Sequence, residues 1–291
     1  MTSPRPRLAL VAAAVACLAL GACERIQHLI HGPGFDAQAL DSALDPAIGG
    51  PDTCVVILDT RSGEELYRYG DHAVCNRPLA PCATFNAPMA LIGLDSGVIT
   101  PAMVFPYDGS VQPSAEWRRD TDLATAYRWD TPWWWRKLAQ LIGPFRFGEA
   151  LSAMGYGQGQ PLGDPLAFWQ GPAAGGGLFI STNRQADFLR RLYGVQLFVG
   201  KNKVSLPAVL AVESLMVEEK RGDTTLSGLV ASCPSIADNS RNLGWWVGRI
   251  QGPRRDVIFA MSIEGQNALP GMEIRTRVTP ILAQVGLLPP A

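Results

Sequence analysis

The stretch PCATFNAPMALIGLDSGVI, residues 81–99, contains the signals from which the rest of the chain can be interpreted. A helix-start pattern opens it, and an apolar run with helical spacing follows. This order predicts a helix over about 84–95 whose apolar side chains face a core. The start of this helix contains Ala83 and Asn86 and has neither a serine nor a lysine.

The whole chain has the composition of a folded protein. Its 291 residues are 47% hydrophobic and 18% charged, enough to bury one sizeable core. The 25 basic and 26 acidic residues nearly cancel. Because nucleic-acid binding needs a clustered positive surface, no nucleic-acid partner is predicted.

The N-terminus has the pattern of an export signal. Arg5 and Arg7 precede an apolar run over 8–20, which is short for a bilayer span but suits the core of a signal peptide. The run ends in Leu-Gly-Ala-Cys at 20–23, which resembles the lipobox of bacterial lipoproteins. We therefore predict a signal peptide over 1–22, a lipid-anchored spacer with one short helix over 23–50, and a folded domain over 51–291.

The lipobox resemblance also implies a location. Acyl chains on Cys23 would anchor the protein to a membrane. Glu24 follows Cys23 in place of the aspartate that often retains lipoproteins in the inner membrane. An outer-membrane lipoprotein facing the periplasm of the bacterial envelope is therefore expected, with an ordinary cleaved signal and a coincidental cysteine as the alternative.

Export places the other cysteines in an oxidising compartment. Cys17 leaves with the signal peptide, so the cysteines that remain beside the lipidated one are Cys54, Cys75, Cys82 and Cys233. Four cysteines allow three pairings, and the turn-rich segment between Cys75 and Cys82 favours that pair. No cysteine or histidine spacing indicates a metal site, so neither a metal nor a cofactor is predicted.

β-rich runs occur at both ends of the domain, with helical patterns between them. Strands are predicted at 53–60, 64–70, 224–232, 243–251 and 256–264. Helices are predicted at 84–95, 121–142, 145–153, 182–193, 206–219 and 275–286. This order predicts an α+β domain in which an antiparallel sheet, closed by both termini, packs on a helical lobe.

The domain resembles the class D, oxacillinase-type serine β-lactamases, which have the β-lactamase/transpeptidase-like fold. The family's nucleophile segment reads P-A-S-T-F-K-I-P-x-A-L-I-x-L-E-T-G-V-I, and residues 81–99 match it almost position for position. Further collinear matches are YDG at 107–109, WRRDTDL at 117–123, YGQ at 156–158, FWQG at 168–171, ISTNRQADFLRRLY at 180–193, GWWVG at 244–248 and FAMSIE at 259–264. The resemblance implies the family's fold over about 50–290.

The resemblance assigns two catalytic positions to Ala83 and Asn86. In the family a serine at the first position attacks the lactam carbonyl, and a lysine at the second takes its proton. A methyl group cannot form an acyl-enzyme, and a carboxamide is not a base at neutral pH.

Two further catalytic positions are changed under the same resemblance. The family's S-x-V segment aligns with residues 130–132, so Asp130 replaces the serine that relays protons, and Pro132 removes a backbone donor. The K-T-G strand aligns with residues 226–228, so Leu226 replaces the lysine that keeps the site electropositive. None of the four catalytic positions is therefore intact.

Several ligand-binding positions remain. Arg275 matches the arginine that grips the β-lactam carboxylate, with Arg277 as the alternative register. Ser227 and Gly228 belong to the strand beside the ligand, and the backbone amides of residue 83 and of the residue after Gly228 are expected to persist as an oxyanion hole. Trp169 matches the tryptophan that packs over the family's lysine. Core packing is the alternative interpretation for Trp169 and Gly228, and an unpartnered surface arginine is the alternative for Arg275.

Other catalytic constellations have weaker support. The three histidines, at 28, 31 and 72, lie away from the predicted site. The Cys82 side chain, one residue before Ala83, would point about 100° away from it on a helix. Residues 133–135 are three consecutive tryptophans, and a helix directs consecutive side chains to different sides. We therefore expect part of the run to lie in the core and the rest to cover the cleft or to contact a partner.

Two classes of function therefore compete. One is a catalytically inactive envelope lipoprotein that uses the scaffold to bind a carboxylate-bearing β-lactam, a peptidoglycan-like ligand or another envelope protein. The other is a β-lactam hydrolase or penicillin-binding enzyme with a non-standard mechanism. The changes at Ala83, Asn86, Asp130 and Leu226 favour the first.

Overall fold

The structure is a computed structural model that describes residues 36–194, 196–199, 202–235, 240–253 and 255–290. The predicted signal peptide and Cys23 lie outside the described residues. The strands are β1 (Thr53–Asp59), β2 (Glu65–Tyr69), β3 (Val104–Phe105), β4 (Thr121–Asp122), β5 (Phe198–Val199), β6 (Asn202–Lys203), β7 (Val217–Arg221), β8 (Thr224–Pro234), β9 (Asn242–Gln251) and β10 (Asp256–Gly265).

The α-helices are α1 (Ala37–Ile48), α2 (His72–Cys75), α3 (Asn86–Asp95), α4 (Leu123–Trp129), α5 (Pro132–Ile142), α6 (Pro144–Met154), α7 (Thr182–Tyr193), α8 (Leu206–Leu215) and α9 (Gly271–Gln284). A short 3₁₀ helix, Cys82–Phe85, leads directly into α3. Within the described part of the chain, no helix is both long and apolar enough to span a membrane.

The main sheet joins the two ends of the domain. Its order is β2-β1-β10-β9-β8-β7, and its pairs are antiparallel. Apolar and β-branched side chains, such as Val56 opposite Ala260, dominate the β1–β10 pair, and both faces of this pair are buried. The predicted α+β class, with the terminal strands as neighbours, is confirmed, although β2 and β7 are edges and the sheet does not close into a barrel.

The sheet separates two hydrophobic cores. On one face lies the helical lobe, whose buried residues include Leu91, Trp134, Phe147 and Leu189. On the other face α1 and α9 pack on the sheet through residues that include Leu40, Leu44, Trp246, Ile274 and Val278. Burial of both faces explains why the central strands are apolar along most of their length.

The domain begins earlier than predicted. The short helix expected in the spacer is α1, and its apolar stripe packs against α9 and the sheet. Tyr67 and Tyr69 on β2 donate hydrogen bonds to Asp41 and Asp45 on α1. The predicted boundary at residue 51 is therefore too late, because α1 belongs to the folded unit.

Two helix predictions are also corrected. The helix expected over 121–142 is divided into α4 and α5 at Asp130, which has left-handed backbone angles (φ 44°, ψ 54°). The helix expected over 206–219 ends at Leu215, and residues 217–221 form the edge strand β7. Pairing with β8 overrides the local preference of this segment, because sheet formation depends on the partner strand.

The disulfides differ from the favoured pairing. Cys54 on β1 is bonded to Cys75 on α2, and Cys82 is bonded to Cys233 on β8. The predicted Cys75–Cys82 pair is therefore wrong. The turn-rich segment between Cys75 and Cys82 gave no information on which strand each cysteine would face. The fold brings Cys82 and Cys233 together although 151 positions separate them in the sequence.

The two disulfides should differ in their contribution to stability. A bridge that closes a loop of about 150 residues restricts the unfolded chain more than one that closes about 20, so we expect losses of about 5 and about 3 kcal/mol. The variants are Cys82→Ala/Cys233→Ala and Cys54→Ala/Cys75→Ala, compared by urea unfolding. Peptide mapping under non-reducing conditions provides the control, and a Cys75–Cys82 peptide would contradict the pairing.

Candidate ligand cleft between sheet and helical lobe

The start of α3 lies at the junction of the sheet and the helical lobe. Trp245 Nε1 on β9 donates to the carbonyl oxygen of Ala80 (2.9 Å). Two residues later, the disulfide between Cys82 and Cys233 links the chain to β8. Ala83 is half-buried, whereas Asn86 is only 3% exposed. We call the region bordered by Ala83, Asn86 and Asp130, next to the β8 residue Cys233, the interlobe cleft.

A cluster of aromatic side chains in the helical lobe packs against the start of α3. Phe85 lies between Ala83 and Asn86 in the chain, and its ring contacts four aromatic rings at centroid distances of 5.3–6.0 Å, those of Phe147, Tyr156, Phe168 and Trp169. Trp169 is 2% exposed and stacks on Phe85, and its carbonyl oxygen accepts the N–H of Cys82 (2.9 Å). These contacts fit the core-packing interpretation of Trp169.

Asn86 and Asp130 are in contact. Asn86 Nδ2 donates to Asp130 Oδ1 at 2.8 Å. Asp130 follows α4 in the left-handed conformation, which aspartate tolerates better than most residues. Pro132 is the first residue of α5, where its missing N–H is not needed. The chain therefore places a carboxylate beside the amide where the family has a serine beside a lysine.

The electrostatics of this pair differ from those of a catalytic pair. Desolvation raises the pKa of Asp130, and the hydrogen bond from Asn86 only partly opposes that effect. The residue is nevertheless exposed to solvent. The amide of Asn86 can donate a hydrogen bond to this carboxylate, but it can neither accept nor release a proton.

The nearby nucleophiles are engaged elsewhere. Thr84 is 2% exposed, and its hydroxyl donates to Pro81 O and accepts from Gln185 Nε2, both at 2.6 Å. The thiol of Cys82 is consumed by its disulfide. Neither side chain therefore offers a free nucleophile beside Ala83.

The structure places Leu226 on the wrong face of β8 for the role predicted for it. Its side chain packs with Trp246 and Ile250 in the core between the sheet and α9. Ser227, the next residue, faces the helical lobe, where it is hydrogen-bonded to Tyr193. Neighbouring side chains on a strand alternate, so Leu226 and Ser227 face opposite sides of the sheet. Both lie about 20 Å along β8 from Cys233, the β8 residue bonded to Cys82. The aligned positions 226–228 therefore do not lie beside Ala83.

The predicted oxyanion hole lacks one of the two backbone N–H donors expected for it. The N–H of Gly228 donates to Met216 O (2.7 Å), on the β7 side of β8. Successive N–H groups of a strand point in opposite directions, so the N–H of Leu229 points towards Val247 on β9. The backbone donor expected just after Gly228 is thus directed into the sheet.

Arg275 lies in a shallow recess on the α9 side of β8. The recess has a volume of about 270 Å³ and is lined by Glu218, Glu219, Leu226, Arg275, Thr276 and Thr279. Arg275 Nη1 lies 3.5 Å from Glu218 Oε1. Arg277, the alternative register, instead donates to Ala47 O at the end of α1 (3.0 Å), so Arg275 is the arginine that faces this recess.

Gly228 is required by packing. A Cβ atom built on it would lie 2.9 Å from Glu218 Oε1 and 3.0 Å from Trp246 Nε1. The space above this glycine is therefore filled by the protein's own side chains. This agrees with the packing interpretation of Gly228, since no room is left there for a ligand.

Sequence reasoning missed Glu218 and the buried phenols near the cleft. Glu218 lay inside the predicted helix 206–219, so no strand face was assigned to it. The turn residues Gly222 and Asp223, followed by the β-prone Thr224, were the available signal for a hairpin. Burial raises the pKa values of Tyr127 and Tyr193, so neither phenol is a base at neutral pH. Among the described residues, no cluster of His, Cys, Asp and Glu is arranged to hold a metal ion.

As predicted, part of the tryptophan run at 133–135 lies in the core and part does not. Trp134 and Trp135 are fully buried, and Trp134 Nε1 donates to Thr121 O (2.9 Å). Trp133 is half-buried, contacts the ring of Tyr107 and donates to Trp117 O (2.7 Å). It therefore belongs to the outer surface of the helical lobe.

Comparison with known proteins identifies relatives over most of the domain. Residues 53–284 match the family model described as the penicillin binding protein transpeptidase domain. The chain is 30% identical over 216 residues to the β-lactamase OXA-48 of Klebsiella pneumoniae, covering 74% of this chain and 77% of that protein. It is 27% identical over 211 residues to the regulatory protein BlaR1 of Bacillus licheniformis, covering 72% of this chain and 33% of BlaR1.

The fold is also that of solved β-lactamase structures. The structure of the BPu1 β-lactamase superposes with a TM-score of 0.73 at 26% sequence identity, covering 85% of this chain and 98% of that one. The shared architecture therefore extends over nearly the whole of that enzyme.

Replacing Asp130 with asparagine should stabilise the protein at neutral pH. The variant removes a desolvated charge and keeps an oxygen that accepts from Asn86, and asparagine tolerates the left-handed backbone. We expect a gain below about 1 kcal/mol, because the carboxyl group still reaches solvent.

The gain should depend on pH in one direction. The pKa of Asp130 is raised in the folded state above 3.8, so the wild type loses stability as the pH rises from about 3.8 through the folded pKa. The difference in urea unfolding free energy between variant and wild type should therefore grow between about pH 4 and pH 7. The control is Asp223→Asn in the exposed β7–β8 turn, and an equal gain in both variants would contradict the assignment.

Proposed function

Because the chain belongs to the penicillin binding protein transpeptidase family, we propose that it is a catalytically inactive member of that family which acts as a binding or scaffolding module in the bacterial cell envelope. The observation that carries this proposal is the pair Asn86–Asp130 beside Ala83. These three residues stand where an acyl-transfer enzyme of this fold needs a base, a proton relay and a nucleophile.

The chemistry of the interlobe cleft supports inactivity at each required step. Acylation needs an activated hydroxyl, donors for the oxyanion and a base, and these groups act as a unit. The side chain of Ala83 has no lone pair with which to attack a carbonyl. Asn86 cannot take a proton, and the N–H of Leu229 is directed towards β9. Restoring one group alone would therefore not restore the reaction.

The ligand class follows from the family. Relatives of this chain include a protein named as a β-lactamase and another named as a regulatory protein. We infer that the ligand is a β-lactam, a carboxylate-bearing peptidoglycan fragment or a protein of the envelope.

The cellular location is part of the same proposal. The lipobox at 20–23 and Glu24 support a lipoprotein anchored through Cys23 to the outer membrane and facing the periplasm. The folded unit begins at α1, so about a dozen residues would link the lipid to the domain. A chain anchored in this way would hold the domain close to the membrane surface.

The first test is covalent labelling with a fluorescent penicillin followed by intact-mass measurement. The wild type should form no adduct, because no side chain beside the cleft supplies an activated nucleophile. Ala83→Ser should also remain unlabelled, since Asn86 cannot deprotonate the new hydroxyl. Ala83→Ser/Asn86→Lys should gain at most slow, substoichiometric labelling, because the lysine ammonium must lose its proton beside the carboxylate of Asp130.

A catalytically active class D β-lactamase serves as the positive control in this experiment. A stoichiometric adduct on the wild type would overturn the proposal, whatever residue it mapped to. Turnover of nitrocefin by the wild type would do the same, and would support a hydrolase with a non-standard mechanism.

The second test concerns the lipid anchor. Cys23→Ala should move the protein from the membrane pellet to the soluble periplasmic fraction and should abolish labelling with palmitate. The matched control is Cys17→Ala, which changes a cysteine inside the signal peptide and should leave both labelling and membrane association intact. Palmitate labelling that persists in Cys23→Ala would contradict the assignment of Cys23.

A further inference from the structure

Glu218 is a buried acid at an irregular point of the sheet. The pairing of β7 with β8 shifts between Val217 and Glu219, so Glu218 falls in the bulge. Its side chain is only 13% exposed. The carboxyl group is directed over Gly228 and towards α9, because Glu218 Oε1 is the atom nearest to a Cβ built on that glycine.

Two donor groups lie at the end of the Glu218 side chain. Arg275 Nη1 is 3.5 Å from Oε1, and the guanidinium is 36% exposed. Trp246 Nε1 is buried over the same face of Gly228, and its N–H also lowers the pKa of Glu218 through a hydrogen bond. A guanidinium and an indole N–H that converge in this way form a donor set suited to a carboxylate.

Glu218 fills this donor set imperfectly. Its Oε2 atom is buried and makes no hydrogen bond, and the contact with Arg275 is an ion pair at 3.5 Å rather than a bidentate hydrogen bond. Burial raises the pKa of Glu218, and Arg275 opposes that effect. A buried carboxylate of this kind depends on its cation, because an unpaired charge would be costly to bury.

The neighbouring acid does not share this role. Glu219 also lines the recess, but its carboxylate pairs with Arg221 at 2.8 Å and 3.1 Å. The hydroxyls of Thr276 and Thr279 donate to carbonyl oxygens of their own helix. Glu218 is therefore the acid that occupies Arg275 in the described part of the chain.

We propose that Glu218 is an intramolecular occupant of an anion site formed by Arg275 and Trp246 Nε1, and that it excludes carboxylate ligands from the recess beside β8. The inference goes beyond the proposed function, because the recess lies on the α9 side of β8 and not in the interlobe cleft. The site is latent: a small monocarboxylate enters it only when the Glu218 carboxylate is removed.

The decisive variant is Glu218→Gln, which removes the charge that pairs with Arg275, so that an external anion can displace the neutral side chain. Calorimetric titration with benzoate should show at least about tenfold tighter binding than in the wild type, because Arg275 no longer has an internal anion. Glu219→Gln is the matched control on the same strand, and its affinity should change less than about twofold, as expected for a screened surface charge. Adding Arg275→Ala to Glu218→Gln should abolish the gain.

A second measurement tests the site through stability. Glu218→Ala leaves the donors with no anion, so acetate should raise the melting temperature of this variant in a saturable manner and should leave the wild type unchanged. Glu218→Ala/Arg275→Ala should show no such rescue. This measurement remains informative if Glu218→Gln folds poorly, since the rescue itself reports occupation of the site.

Two results would overturn the inference. One is equal affinity of the wild type and Glu218→Gln for benzoate, and the other is acetate rescue that persists without Arg275. Neither depends on covalent labelling by penicillin. An adduct on the wild type would therefore refute the inactive-member proposal while leaving the anion site intact, and absence of rescue would refute the anion site alone.

Discussion

The attachment of the α3 start to the sheet is the constraint on which the interlobe cleft depends. The buried hydrogen bond from Trp245 Nε1 to Ala80 O and the disulfide between Cys82 and Cys233 hold this segment against β8 and β9. Phe85 then anchors it in the aromatic cluster of the helical lobe. With the segment held at both ends, Ala83 and Asn86 are fixed at the junction of the sheet and the helical lobe.

The charged side chains near the cleft and β8 have partners within the protein. On the lobe side of the cleft, a carboxylate at residue 130 accepts from an amide. On β9, Arg249 pairs with Asp256 at 2.6–2.7 Å, and on α9 Arg275 pairs with Glu218. Each of these arginines beside β8 therefore has an internal acid as its partner, which makes the site less attractive to an external anion.

The fold does not depend on the side chains at 83, 86 and 130. The fold depends on apolar burial on both faces of the sheet, and the side chains at 83, 86 and 130 contribute little to that burial. Substitution at these positions therefore leaves the architecture intact, as the superposition on the BPu1 β-lactamase illustrates. A shared fold identifies the family, whereas function must be argued from the residues of the site.

Some properties of this protein could be determined from the sequence because they depend on local chemistry or on a long collinear pattern. The loss of nucleophile and base is a matter of residue identity at 83 and 86, and the order of apolar runs predicted the sheet and the lobe. The disulfide partners, the strand β7, the side of β8 that Leu226 faces and the pairing of Glu218 with Arg275 were decided by tertiary structure. Each of these depends on which distant segment lies alongside, and a strand bulge or an edge pairing leaves no periodic signal in its own sequence.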